Sequence, residues 1–181
     1  MSMLKDFTEI HPSLVWLGEA FKYEDDIYEI INDIHLFENF SVDEVRALCR
    51  FMHCYAAPRD YNLLTEGESG DFLMLVLTGQ VKVLKQSLAG DIVVIAEIGV
   101  GGTLGEMSMI DGHPRLATCT TTMPTDLAVL TRAAFNDVLL QSPRLGNKLL
   151  ITLLQTTTGR LRESIEGRIP SLSDGVFGAA I

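Results

Sequence analysis

Apolar residues recur along this chain in three textures. Through the first fifty residues they fall at helical spacing. "EDDIYEIINDIHLF" sets Ile27, Ile30, Ile31 and Ile34 at that period. "FSVDEVRALCRFM" adds a stripe of Val45, Leu48 and Met52, and Ser41 followed three positions later by Glu44 is a capping box. From about 52 to 131 the period shortens. "FLMLVLTGQVKVLKQ" predicts strand, with Gly79-Gln80 as punctuation, and the alternation in "VKVLK" puts Val81 and Val83 on one face. "SLAGD" is a turn, and "IVVIAEIG" predicts a buried strand. "RLATCTTT" and "TDLAVLTR" predict two short strands separated by Met123-Pro124. Turn signals every eight to twelve residues predict a closed or double-sheet β architecture, not alternating β and α units.

Helical spacing returns at 132. "RAAFNDVLLQ" predicts one helix, and Ser142-Pro143 restarts another, with Ser as cap and Pro at the first helical position. The helix from Pro143 to about Glu166 carries two apolar seams. Leu145, Leu149, Thr152, Thr156 and Gly159 form one; Leu150, Leu154, Leu161 and Ile165 form the other. Two seams predict packing on the chain's own core and on a partner. The tail "GRIPSLSDGVFGAAI" predicts loose order. The organisation is therefore an N-terminal helical segment (1–40), a β core (41–131), a hinge and long helix (132–166) and a tail (167–181).

Charge and composition narrow the partners. The 181 residues are 47% apolar, enough for one domain with a core, and their formal net charge is −10. Scattered Lys and Arg leave no basic patch, which argues against nucleic acid and membrane surface as partners. Cys49, Cys54 and Cys119 follow no metal spacing and predict packed thiols of a reducing, cytoplasmic compartment. Asp6 and Glu9 interrupt the start where a signal peptide needs an apolar run. His11, His35, His53 and His113 show no His-x-His pair, so a metal-dependent dioxygenase of the double-sheet class is disfavoured.

Candidate chemistry concentrates in "GVGGTLGEMSMIDGHPRLAT", residues 99–118. Glycines after a strand let backbone approach a ligand. A helical turn starting near Gly105-Glu106 would aim N–H groups at an anion. Arg115, expected to begin the next strand, adds charge and up to two directed bonds. Glu106 would be repelled by an anion, so it must accept from something else, such as a sugar hydroxyl. Taken alone, Arg115 reads as a solvated strand-end residue and Glu106 as a helix N-terminal acid. Together they suit an anion joined to a sugar, for which a nucleotide monophosphate is the natural candidate.

"GEMSMIDGHPRLAT" closely resembles the phosphate-binding cassette of cyclic nucleotide-binding domains of the catabolite activator type. "FSVDEVRAL", "EGESGDFLMLVLTGQVKV" and "AVLTRAAFNDVLLQSPRL" extend the likeness over residues from about 34 to 165. The resemblance implies an α+β fold, a double-stranded β-helix or jelly-roll barrel flanked by N-terminal helices and a long C-terminal helix. It implies that Glu106 holds the ribose 2′-hydroxyl and Arg115 the cyclic phosphate. Gly105, Ser108 and Leu116 become backbone donors, with Met107 and Ala117 completing the cassette, and Val83, Ile95 and Ala96 line the pocket. Leu116 lacks the hydroxyl associated with cGMP preference, which leans toward cAMP over cGMP. Thr157, Thr158 and Arg160 lie near where the base would be met.

The function so implied is a cyclic-nucleotide sensor, not an enzyme, with no cofactor beyond its ligand. Its expected partners are the nucleotide, a second copy along the long helix, and an effector protein. Only about fifteen residues follow Glu166, which makes a helix-turn-helix an unexpected feature. The rival is a ligand-free interaction scaffold on the same fold.

Overall fold

A computed structural model of the chain describes residues 3–23, 27, 37, 39–87 and 89–166. Two antiparallel sheets form its centre. One takes β1 (Val15–Glu19), β2 (His53–Ala57), β9 (Thr125–Thr131), β4 (Phe72–Val76) and β7 (Thr103–Leu104), in that order. The other runs β3 (Asn62–Leu64), β8 (Thr118–Thr121), β5 (Val81–Gln86) and β6 (Ile92–Ile98). The order crosses far along the chain, as a jelly roll does.

"FLMLV" is buried at every position because its sheet is covered on both sides. Phe72, Met74 and Val76 share one face of β4 with Leu127 and Val129 of β9, against Val81 and Cys119 of the second sheet. Leu73 and Leu75 face the other way, with Ala128 and Leu130, onto the helices. Burying one such leucine contributes about 1.5–3 kcal/mol.

The helical layer is built from α2 (Val42–Cys49), α4 (Arg132–Gln141) and α5 (Pro143–Glu166). The capping box at Ser41 forms as expected, and Glu44 also accepts from Lys148 Nζ at 2.6 Å, tying α2 to α5. Thr131 caps α4 through the Ala134 N–H. Gly146 lets α5 cross α4 closely, since a Cβ there would sit 2.7 Å from a Leu139 methyl. Of the two seams on α5, Leu145, Leu149 and Thr152 are buried, joined by Leu153. Leu150, Leu154 and Leu161 face solvent. No described helix is long and apolar enough to cross a membrane.

Three local expectations fail for physical reasons. The first fifty residues are not all helical: after α1 (Met3–Ile10), residues 15–19 pair with β2 as an edge strand. "IVVIAEI" is a strand but not a buried one. It is the edge of its sheet, and Ile92, Val94 and Ile95 are more than half exposed. Arg115 does not begin a strand, because β8 starts at Thr118. Most of the predicted helix at 24–37, and the whole tail, lie outside the described residues. Ile27 and Phe37 are described, and both are buried in the helical core.

The three cysteines are free and buried. Burial, above all, pushes the Cys54 thiol up to about 12 and Cys119 to about 11. Native protein at pH 8 should therefore resist a thiol-reactive disulfide reagent, while urea-unfolded protein releases all three equivalents. Equal rates in the two states would contradict the packing.

Candidate functional site

The stretch 99–118 folds as β7, a short helix α3 (Glu106–Asp111) and a loop that returns to β8. Gly105 precedes α3 with φ of 78°, a left-handed conformation that suits glycine. Its carbonyl accepts from Arg115 Nη1 at 2.7 Å. Arg115 Nη2 donates to the Phe72 carbonyl at 2.9 Å, and the guanidinium lies 4.5 Å from the centre of the Phe72 ring. Its backbone is held as firmly: Arg115 N donates to Glu68 O, and Gly67 N to Arg115 O. A Cβ at Gly70 would overlap the guanidinium, so only glycine leaves that room. Burial lowers the arginine's pKa; Cys119, Asp71 and Glu106 oppose this, while Arg132 adds to it. It stays charged regardless.

Glu106, the first residue of α3, is 1% exposed. Its Oε1 accepts from Arg160 Nη1, on α5, and its Oε2 is buried without a partner. Arg160 Nη2 also donates to the Thr103 carbonyl at 2.8 Å. Glu106 adds to the rise of the Cys119 thiol's pKa, and Arg115 and Arg160 oppose it. Strand register sets Val83 opposite Cys119 on one side and Ala96 on the other. Ile95 falls at the irregularity between the Val83–Ala96 and Leu84–Val94 pairs and is 57% exposed. Beside Arg160 opens a cavity of about 450 Å³ between residues 97–103 and the α5 residues Thr156 and Gly159.

The remaining cassette residues divide. Ser108 is buried, and its carbonyl accepts from Arg132 Nη2 at 2.6 Å. Met107 is exposed while Met109 is core. Leu116 is exposed and its carbonyl accepts from Lys85 Nζ at 2.6 Å, while Ala117 is half-buried. Lys85 is also paired with Glu66 at 2.5 Å. Phe72, Lys85 and Arg132 carry no signal in the cassette pattern itself. Arg160 was within the range expected near the base, but its bond to Glu106 is new. Among the described residues, no three His, Cys, Asp or Glu gather as a metal site.

This arrangement sits in a fold already known from crystals. A cyclic nucleotide-binding domain from Methylobacillus flagellatus KT superposes with a TM-score of 0.80 at 52% identity, covering 95% of this chain and 94% of that one. The chain belongs to the cyclic nucleotide-binding domain family. The family's sequence model, described as "Cyclic nucleotide-binding domain", matches residues 56–142. The domain is also similar to the catabolite activator protein of Thermus thermophilus, with a TM-score of 0.67, 26% identity, and 74% and 61% of the two chains covered. A CRP-like cAMP-activated global transcriptional regulator of Mycobacterium tuberculosis is 26% identical over 145 residues, 78% of this chain. The domain spans 65% of that relative's length. The jelly-roll fold expected from the sequence is thus shown.

Removing Arg160 would leave both oxygens of the buried Glu106 unpaired. Arg160→Ala should cost about 1–3 kcal/mol in urea unfolding. Adding Glu106→Gln should recover part of it, because the stranded group is then neutral. Additive losses in the double variant would contradict the pairing.

Proposed function

We propose that this domain is a cyclic-nucleotide sensor whose ligand is cAMP. The observation that carries the reading is the unpaired, buried Oε2 of Glu106 in the charged corner that holds Arg115. Glu106 can keep Arg160 on Oε1 and accept a ribose hydroxyl on Oε2. Arg115 takes the cyclic phosphate, adding an anion to a guanidinium whose two carbonyl partners already orient it. Leu116, without a hydroxyl, favours cAMP over cGMP. The domain performs no chemistry of its own.

Two links can carry binding outward. Arg160 joins the ribose-binding carboxylate to α5. Arg132, the first residue of α4, joins the middle of α3 through Ser108 O and the Asp71 carbonyl through its own N–H. The ligand repositions α4 and α5 only by binding one arrangement more tightly than the other. The exposed Leu150, Leu154 and Leu161 give the output a surface, either a second copy of the domain or an effector protein. Whichever covers it, the signal leaves through α5.

A specific observation supports a second reading, a scaffold that binds no nucleotide. Arg115 and Glu106 both have partners within the chain and are 4% and 1% exposed. Calorimetric titration of nucleotide-free protein separates the two. The sensor predicts cAMP binding, weaker cGMP binding, and a loss of tens-fold or more in Arg115→Ala, since a buried charge-assisted bond is worth about 2–5 kcal/mol. No heat with either nucleotide leaves the scaffold. Light scattering should show a dimer that Leu154→Glu dissociates; a monomer at high concentration would leave the α5 seam to an effector.

A further inference from the structure

Behind the phosphate-binding arginine lies a histidine that the proposed function does not use. His11 follows α1 and is 6% exposed. Its ring lies 4.9 Å from Phe7 and 5.7 Å, edge-on, from Phe72. Phe7 in turn meets Phe72 at 5.0 Å, also edge-on, and Tyr55 at 4.7 Å. Phe72 is the ring on which the Arg115 guanidinium rests, and the residue whose carbonyl holds Nη2. The N-terminal segment is thereby packed onto the support of Arg115. His11 Nδ1 pairs with the Tyr61 hydroxyl at 3.2 Å, while Nε2 is buried with no partner.

We propose that His11 is a positioning residue of the anion site: its neutral ring steadies Phe72 beneath Arg115, and capture of a phosphate by Arg115 brings a solvent proton onto the imidazole. The inference rests on the reading of Arg115 as the phosphate ligand. The Tyr61 hydroxyl pairs with the ring, Arg115 lies across the Phe72 ring from it, and Arg115 and Glu68 act on it by charge. Burial first, then the Arg115 charge, hold the imidazole below its ordinary pKa, and Glu68 works against them. A bound anion cancels the Arg115 contribution and leaves the other two. The bound protein therefore protonates His11 at higher pH than the free protein does. Affinity must then rise as pH falls through the window between the two midpoints, by linkage. Above that window the ring is neutral in both states and affinity is flat with respect to this group.

The histidine ring resonances, followed by NMR against pH, read this directly. The His11 midpoint should rise by about half a unit or more on saturation with cAMP, equivalent to about threefold in affinity across the window. Arg115→Gln, without ligand, should raise it likewise, and Arg115→Lys, which keeps the charge, should not. Titration in buffers of different ionisation heat should show proton uptake on binding by the wild type, and none by His11→Phe, which keeps an aromatic ring in place. A midpoint indifferent to both ligand and Arg115→Gln would overturn the proposal, as would undiminished uptake in His11→Phe. Failure of every nucleotide to bind would instead remove the sensor reading, and the free-state comparison of wild type with Arg115→Gln would still decide the coupling. Should Arg115→Gln not fold, the His11 midpoint at rising inorganic phosphate replaces it.

Discussion

The guanidinium of Arg115 is the constraint around which this domain is arranged. A cation almost wholly removed from water is expensive unless its hydrogen bonds and its field are met. Here the Gly105 and Phe72 carbonyls accept two of its protons, and the Phe72 ring supports its plane. The turn at 67–68 pins its backbone in both directions. Gly70 and Gly105 leave the space it needs. These groups come from two parts of the chain, residues 67–72 and Gly105, so the site exists only where the start of β4 meets the turn after β7. A site of this kind is preorganised: the charge waits, oriented, and a ligand need not assemble it.

Glu106 is the counterpart with the opposite logic. Arg115 has two carbonyl partners within the chain, whereas Glu106 has one oxygen on Arg160 and one without a partner. Arg160 stands 54 positions further along, on the long helix. A carboxylate so placed connects the cassette to α5 before any ligand arrives. In the proposed sensor, a ribose hydroxyl completes Glu106 without breaking that connection. Binding then adds to an existing contact between β-roll and helix, and small changes there bear on the seam that α5 exposes. Arg132 provides a second, separate path through α4, and its buried Nε has no partner of its own.

Much of the architecture was legible in the sequence because it is local. The Ser41–Glu44 box and the helix start at Pro143 are decided within a few residues, and both are present. Glu106 and Arg115 could be singled out because nine positions of one continuous motif separate them. What failed was decided at a distance. "IVVIAEI" has the composition of a buried strand, but its place at a sheet edge follows from strand order, which no window of residues contains. Residues 15–19 become a strand only because β2 is there to pair with them. The partners of the two charged residues were hidden for the same reason. Phe72 and Arg160 reach the charged pair from β4 and from α5; the resemblance put Arg160 near the base, but only the tertiary fold sets it on Glu106.

In the proposed sensor, Glu106 and Arg115 grip two ends of one ligand. Comparison of cAMP with its 2′-deoxy analogue by calorimetric titration tests it most directly, because the analogue keeps the phosphate and base and lacks only the hydroxyl assigned to Glu106. Tight cAMP binding is expected, with a loss of about five- to 150-fold for the analogue, as a buried acceptor left unpaired costs about 1–3 kcal/mol. Equal affinity for the two would contradict it, and so would binding of neither.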